Sequence, residues 1–383
     1  MKNVNRGQPQ AVPFVSGGGG LVKNKKQWLL LAALVIGIVL VQVVSYHPEF
    51  VEEYFANIFY PLIAGPVSSL TGLFPLSVAE AALVALVAAV LYWLGRGVMA
   101  LVRQPRQTAG KLPRVVVPLA AGLAALYIVF MLMWGLNYSR LTFAELSGLT
   151  VHPSTAQELA ELAWELVERA NELRQQVEEG PEGVMQLSGG IPGMLARVDQ
   201  GFSEAAVVYP QLAGSYGRPK PVVMSYLMSK AGITGIYIPF TAEAHFNAHM
   251  PHSFLPATVI HEMAHQRGFA REDEANYIAY LVCTLHPDPD FQYSGVLLAL
   301  VHTMSALAEA DSQQHGEIVE MYSPGLRRDL EHWRDYWQSF AGPVERAANR
   351  LNDSYLRANR QQDGVASYGH MVDLLLAERR QRR

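Results

Sequence analysis

Three long apolar segments in the first third of the chain restrict its fold more than any other feature. They cover residues 28–46, 76–94 and 115–136. Each is long enough to cross the hydrocarbon core of a bilayer as a helix. The first is followed by a poor cleavage site, which favours an uncleaved anchor over a signal peptide. We therefore predict a membrane module at residues 27–136 with three transmembrane helices, after a flexible cytoplasmic tail at residues 1–26.

Basic residues outside these segments predict how they are oriented, because cytoplasmic loops carry an excess of Lys and Arg. Five basic residues and no acidic one separate the second and third spans: Arg96, Arg103, Arg106, Lys111 and Arg114. The segment between the first two spans has no Lys or Arg, whereas a cluster of three lysines, Lys23, Lys25 and Lys26, lies just before the first span. With three crossings, we expect a multi-pass protein of the cytoplasmic (cell) membrane whose residues 137–383 are extracytoplasmic.

The segment between the first two spans is predicted as a loop in the membrane interface, because it is rich in aromatic side chains. They are Tyr54, Phe55, Phe59 and Tyr60. Ser77 and Glu80 have the spacing of a capping box at the start of the second span, which explains the one acid near hydrocarbon. The spans hold no other charge, and this disfavours a transporter component.

Composition excludes further classes of protein. The formal net charge is −4, so the overall composition does not suggest nucleic-acid binding. Cys283 is the single cysteine, so no intramolecular disulfide can form, and we expect it to be a buried helix residue.

Residues 137–383 have ordinary polarity and predict one mainly helical domain with a small β-sheet. Apolar spacing and composition predict helices at 154–179, 194–206, 272–285, 294–310, 324–340, 344–358 and 368–380. A loop is expected at 180–193, and β-favouring composition predicts strands at 221–226 and 235–240. The fold class is therefore mainly α with a small sheet, an α+β domain preceded by three transmembrane helices.

One motif in this domain, His-Glu-Met-Ala-His at residues 261–265, carries recognisable chemistry. On a helix, His261 and His265 lie one turn apart on the same face, where they can bind one zinc ion. Glu262 can then act on a metal-bound water. The helix is predicted by Pro256 in its first turn, with Ser253 as the preferred N-cap.

A catalytic zinc needs a third protein ligand, and the segment after the motif offers two carboxylates. Gly268 ends the first helix and reverses the chain, so that Glu272 on the next helix can reach back to the ion. Glu272 is the preferred ligand and Glu274 its rival; because they lie two residues apart on a helix, only one faces the metal. Asn276 can support a ligand histidine through a hydrogen bond.

These residues resemble the gluzincin branch of zinc metallopeptidases, in which a downstream Glu-x-x-x-Asp supplies the third ligand and a supporting carboxylate. Here Glu272 to Asn276 reads Glu-x-x-x-Asn. The metzincin spacing places its third ligand at Arg271, which cannot ligate zinc. A wider pattern resembles a bacterial membrane family classed as a domain of unknown function. It comprises Trp134 to Tyr138, His261 to Phe269, Asn352-Asp353 and Asp363 to Tyr368.

The resemblance implies that residues 137–383 are a zincin-like metallopeptidase domain with Zn²⁺ as cofactor. The ion lowers the pKa of water, and Glu262 takes a proton as the water attacks a peptide carbonyl, then passes it to the leaving amine. Tyr368 is the preferred donor to the oxyanion, with Tyr237 and His370 behind it. The expected partners are a peptide or protein substrate and the lipid bilayer.

A different class of function is an alternative: a catalytically silent, zincin-like envelope protein that scaffolds or senses. Glu262 disfavours it, because a purely structural zinc has no use for this acid. Residues 234–240 are expected to form an edge strand that pairs with substrate. Glu243 and Asn247 either stabilise a turn or line the cleft. His245, His249 and His252 fit polar surface better than a second metal site.

Overall fold

The structure is a computed structural model that describes residues 18–103 and 112–382, without the side chains of residues 18–28, 101 and 112–117. Most of the predicted cytoplasmic tail, residues 1–17, lies outside the described residues, as do Arg106 and Lys111 of the predicted basic loop. The protein is mainly helical, as the sequence predicts, and has two small sheets in place of the one expected.

In the N-terminal part the helices are α1 (Gly18–Val44), α2 (Pro48–Gly72), α3 (Val78–Arg103) and α4 (Leu112–Met133). The helices that follow are α5 (Phe143–Ser147), α6 (Ala156–Arg174), α7 (Gly190–Arg197), α8 (Asp199–Val208), α9 (Ser225–Lys230), α10 (Leu255–Gln266), α11 (Glu272–Leu285), α12 (Pro289–Ala310), α13 (Ser312–Val319), α14 (Pro324–Phe340), α15 (Pro343–Ala358) and α16 (Met371–Arg382). The strands are β1 (Glu178–Glu179), β2 (Met185–Gln186), β3 (Lys220–Pro221), β4 (Gly235–Ile238) and β5 (Glu243–Phe246).

Length and apolarity qualify two described helices to cross a membrane, and up to three if one bent pair is counted as a span. They are Val78–Ala100 within α3, α12, and the bent pair of α1 and α2. In its most apolar stretch α3 is not buried at all, whereas α12 is 61% buried. Because α12 packs against α6 and α11, protein contacts cover much of its apolar surface. Helices of this kind indicate a membrane protein.

The predicted spans correspond to these helices unequally. The second, 76–94, falls on α3. The first, 28–46, falls on α1, whose stretch Leu29–Val44 forms the bent pair with α2. The third, 115–136, falls on α4, whose stretch Pro118–Met133 is an apolar helix. The number of spans therefore stays a prediction.

The segment between α1 and α3 is not the loop that the sequence predicts. It forms α2, whose Val51–Phe59 stretch is π-helical, and α2 is bent by 101° from α1. Proline at the start of α2 suits a first helical turn. The helix is stabilised by tertiary contacts, because Val51, Phe55 and Tyr60 are buried together with residues from α4 and β4.

The core of the C-terminal part is formed mainly by α6, α10, α11 and α12. A capping box between Thr155 and Glu158 begins α6, and its apolar stripe packs against α12. The predicted helices at 272–285 and 324–340 agree with α11 and α14 in their bounds. The last helix begins at Met371, later than predicted, because Gly364–His370 forms a 3₁₀ helix.

Strands were predicted less accurately than helices. The predicted loop 180–193 contains β2, which pairs with β1, and the start of α7. The predicted helix 194–206 is divided between α7 and α8. The predicted strand 221–226 is wrong beyond Pro221, since α9 begins at Ser225. Two-residue strands carry no alternating pattern, so local composition does not reveal them.

The second sheet has the order β3-β5-β4, with β5 parallel to β3 and antiparallel to β4. The prediction for 235–240 is confirmed over Gly235–Ile238 by β4, which pairs Ile236 with His245. The central strand β5 was not predicted, because its Glu243 and His245 are atypical of a buried strand. All four residues of β5 are nevertheless buried. This order leaves β4 at an edge of the sheet, next to α10.

Candidate metal centre

Helix α10 carries His261, Glu262 and His265 on its last two turns. Proline at position 256 lies in its first turn, as predicted. The predicted cap is wrong: Ser253 makes no cap hydrogen bond, and its buried hydroxyl has no partner. The hydroxyl of Ser294 on α12 accepts from the amide of Ala257 instead, at 3.0 Å. A neighbouring helix therefore caps α10.

Gly268 turns the chain from α10 towards α11. Its φ of +85° is a left-handed conformation that glycine adopts without a Cβ penalty. A Cβ atom here would lie 3.0 Å from the Tyr60 ring and 3.0 Å from the side-chain oxygen of Asn137. The turn brings the first residue of α11, Glu272, back against both histidines.

His261, His265 and Glu272 are the one group of three potential metal ligands that lies close together among residues 18–103 and 112–382. One ligand atom from each lies within 4.8 Å of the others. The Glu272 Oε2 atom is 3.2 Å from His261 Nε2 and 3.4 Å from His265 Nε2. All three side chains are buried.

Hydrogen bonds orient both imidazole rings. His265 Nδ1 lies 2.7 Å from the carbonyl oxygen of Phe269, which can only accept, so Nδ1 carries the proton. His261 Nδ1 lies 2.8 Å from Asn276 Oδ1. The Asn276 amide group donates to the Tyr368 carbonyl, at 3.1 Å, which leaves its Oδ1 as the acceptor. Each Nε2 lone pair can therefore face Glu272, the arrangement typical of metal-binding histidines.

The structure brings Glu272 to the histidines and turns Glu274 away. The Glu274 carboxylate accepts from the Phe143 amide at 2.9 Å and forms an ion pair with Arg271 at 2.8 Å. These contacts are on the side of α11 that faces α5. Arg271 also donates to the carbonyl oxygen of Arg140, at 3.0 Å.

The residues fit a tetrahedral zinc ion. Two ligand atoms that each lie about 2.1 Å from one ion are roughly 3.4 Å apart at the tetrahedral angle, and the two nitrogen–oxygen distances are 3.2 and 3.4 Å. Glu272 Oε2 and Glu262 Oε2 are buried without a hydrogen-bond partner. Buried polar atoms rarely stay unpaired, so a ligand shared by these carboxylates is expected.

The charges of the site act strongly on each other. Burial raises the pKa of Glu262 to about 7, although both histidines lower it. Burial lowers the pKa of His265, but the Glu272 carboxylate outweighs it and raises the value to about 9. The same histidines hold the pKa of Glu272 well below its usual range despite burial. A bound cation favours the deprotonated form of each group.

Aromatic side chains enclose the site. The Tyr368 ring lies nearly parallel to the His261 ring, with the ring centroids 6.3 Å apart. Burial, and next the Glu272 charge, raise the pKa of Tyr368 well above its usual range. Its hydroxyl therefore keeps its proton. Trp134, at the end of α4, contacts His265 edge-on at 5.8 Å. The wider family pattern in the sequence includes Trp134 but predicts no role for it.

The other two predicted oxyanion donors do not lie at the metal ligands. The Tyr237 hydroxyl is hydrogen-bonded to that of Tyr60, at 2.9 Å. His370 is half exposed and lies 3.9 Å from Asp363. Of the three predicted donors, the structure brings only Tyr368 to the histidines.

Gly235, the first residue of β4, was missed as a site residue. A Cβ atom at this position would lie 2.6 Å from Glu262 Cγ and 2.8 Å from Cδ. Only a residue without a side chain lets β4 approach Glu262 this closely. The available signal was a glycine at the edge of a strand predicted to lie beside the cleft.

The upstream polar residues stabilise the fold instead of lining the site. Glu243 forms an ion pair with Lys220 at 2.6 Å and accepts from the first amides of α3. Asn247 bonds the turn around Ile233 and His249. The Glu80 amide donates to Ser77, as predicted, but the Glu80 carboxylate binds the amides of residues 223 and 224 and completes no capping box.

The three upstream histidines have separate partners and share no ligand site in the described chain. They are Ser77 for His245, Tyr336 for His249 and the Leu187 amide for His252. Cys283 is buried in α11, as predicted, and burial raises the pKa of its thiol.

Comparison with known proteins identifies a family whose function is unknown. The sequence profile of the family described as "Protein of unknown function (DUF3810)" matches residues 55–376. This range begins within α2, ends within α16 and includes every residue of the candidate metal centre. No curated protein and no solved structure matches the chain.

Proposed function

The chain belongs to the DUF3810 family of proteins of unknown function, and we propose that it is a membrane-anchored, zinc-dependent metallopeptidase of gluzincin type. The observation that carries the proposal is the convergence of His261, His265 and Glu272, with both imidazoles oriented by hydrogen bonds and Glu262 buried beside them. A silent scaffold needs neither the unpartnered Glu262 oxygen nor the oriented rings.

His261, His265 and Glu272 hold the ion in this proposal. When bound, zinc supplies Lewis-acid chemistry, since it lowers the pKa of water and polarises a carbonyl group. Glu262 accepts the proton of the attacking water on its free Oε2 and delivers it to the leaving amine. Tyr368, protonated beside Glu272, donates a hydrogen bond to the oxyanion that develops on the peptide carbonyl.

The edge strand β4 supports a peptide as the substrate. Its outer edge pairs with no strand in the described chain, and its first residue, Gly235, touches Glu262. An extended peptide that adds to this edge brings its backbone over the general base. Main-chain hydrogen bonds then give affinity for many sequences.

The attachment of the N-terminal helices supports an extracytoplasmic catalytic domain. The end of α1 receives hydrogen bonds from Arg360, the start of α3 is capped by Glu243, and the residue after α4, Trp134, contacts His265. All three helix ends therefore contact the C-terminal domain. With three crossings, the domain is expected outside the cytoplasm. The basic segment between α3 and α4 then lies in the cytoplasm of the cell.

The experiment uses the full chain, purified in detergent or nanodiscs. Wild-type protein is expected to bind about one zinc per chain and to hydrolyse a fluorogenic peptide library. Glu262→Gln should retain the metal and lose hydrolysis, whereas His265→Ala should lose both. Wild-type protein without zinc would contradict the proposal. Zinc binding with no hydrolysis of any peptide would favour the scaffold instead.

A further inference from the structure

We propose that α2 is an interfacial helix that lies flat on the membrane surface and holds the metal centre there. The substrates are then membrane-anchored polypeptides, cleaved close to the bilayer. The location of α2 stands on its own contacts, while the substrate class rests on the proposed peptidase function.

An apolar stripe runs along the outer side of α2. Its members are 49–69% exposed and recur at intervals of four or eight residues: Phe50, Tyr54, Ile58, Leu62 and Leu70. An apolar stripe of this length is costly in water, and aromatic residues at one end are typical of the headgroup region. The stripe therefore fits the boundary between headgroups and acyl chains.

The opposite side of α2 is buried against the rest of the protein. Val51, Phe55 and Ala64 lie in a cluster with Trp134 and Tyr237. Glu52 forms a buried ion pair with Arg140 at 2.6 Å. With this side occupied by protein, α2 cannot sink into the hydrocarbon as the second half of a broken span.

The bend between α1 and α2 gives the direction of α2. The axes differ by 101°, and membrane-spanning helices tilt on average about 20° from the bilayer normal. If α1 crosses the bilayer, α2 therefore runs close to the membrane plane. Arg360 fixes the bend, because it donates to the carbonyl oxygen of Ser45 at 2.6 Å.

Direct hydrogen bonds join α2 to the helix that carries the metal ligands. The Tyr60 hydroxyl lies 3.3 Å from the carbonyl oxygen of His265 and 3.2 Å from that of Gln266. The Gln266 side chain donates to the Ser68 hydroxyl at 2.6 Å. Since a helix with side chains is about 10 Å thick, one helix layer separates the end of α10 from the lipid.

The first experiment measures the depth of α2 in the bilayer without using activity. A spin label is placed on the full chain in nanodiscs by Leu62→Cys, with Gln313→Cys on exposed α13 as the aqueous control. The buried native cysteine should not be labelled. We expect the label at position 62 to lie about 5–10 Å below the headgroup surface. A label as accessible to water as the control, or at the bilayer centre, overturns the proposal.

The second experiment tests the substrate class on vesicles. Two peptides share one mixed cleavable sequence and one distearoyl lipid anchor but differ in the linker, of 6 or 60 residues. Local concentration at the site falls with about the 3/2 power of linker length, so the short linker should be cleaved roughly 30-fold faster. Equal rates overturn the substrate class. Hydrolysis of neither peptide contradicts the peptidase function, and the depth measurement still decides the location of α2.

Discussion

Replacing Gly235 by alanine should displace Glu262, the proposed general base, without touching the proposed metal ligands. The new Cβ would lie 2.6 Å from Glu262 Cγ, and relief to the 3.4 Å of ordinary contact requires a shift of 0.8 Å. Glu262 is only 4% exposed, so the side chain has little space to move. The φ of Gly235 is not in the left-handed region, and the effect should therefore be steric alone.

The expected loss follows from the size of this shift. A misplacement of about 1 Å at a reacting group costs roughly 100-fold in rate, and each ten-fold corresponds to about 1.36 kcal/mol, so the transition state loses about 2.7 kcal/mol. We expect kcat/KM for peptide hydrolysis to fall by this factor while the zinc content stays unchanged. Gly316→Ala is the matched control, because a Cβ there meets nothing within 4 Å.

A second variant, Glu262→Asp, tests whether the collision with the Glu262 side chain causes the loss of activity. Glu262→Asp removes one methylene and withdraws the carboxylate from β4, so the alanine should cost clearly less in this variant than in wild type. The reasoning is refuted if Gly235→Ala keeps wild-type kcat/KM. It is also refuted if zinc and activity are lost together, since the collision would then act on the whole helix.

Three further outcomes are expected. Glu272→Gln should abolish zinc binding, whereas Glu274→Gln should retain it. Glu274→Gln should instead lower the thermal midpoint, because weaker bonds to its buried partners reduce the free energy of unfolding by about 1–3 kcal/mol. Metal analysis and thermal unfolding separate the two. Asn276→Ala should weaken zinc binding by about 10–100-fold, because His261 loses its orienting acceptor, with chelator competition as the measurement and Asn276→Asp as the control that keeps an acceptor. Zinc affinity should rise with pH up to about 9: below the raised pKa of His265 the ion must displace a proton, and above it no proton remains to displace. Titration calorimetry in buffers of different ionisation enthalpy should detect that proton at pH 7, and a pH-independent affinity would contradict this assignment.

Local signals were sufficient for the ligand-bearing helices. Pro256 and Gly268 mark the ends of α10, and the acidic start of α11 agrees with the predicted 272–285. Their patterns are short-range, with a period near 3.6 and a left-handed glycine between two helices. The spacing of His261, His265 and Glu272 therefore already predicted that the three side chains would meet.

Features that depend on partners distant in the sequence could not be predicted from it. The sequence favours Glu272 over Glu274 without excluding the latter, and the structure separates them because the Phe143 amide and Arg271 bind Glu274. Likewise, β5 has no β-favouring pattern in the sequence. Its buried Glu243 is neutralised by Lys220 from another strand, a pairing that no local pattern reveals. Ser253 has good capping chemistry, but Ser294 occupies that role from α12.

The sequence by itself determined that the protein has membrane helices, a mainly helical domain and one pair of histidines at metal-ligand spacing, since each follows from residue type and near spacing. Only the tertiary structure decided which carboxylate joins the histidines, that Gly235 presses β4 against Glu262, and that Tyr60 on α2 bonds the end of α10. These contacts join residues up to 206 positions apart. Such long-range pairs depend on the packing of whole elements, and no local pattern encodes that packing.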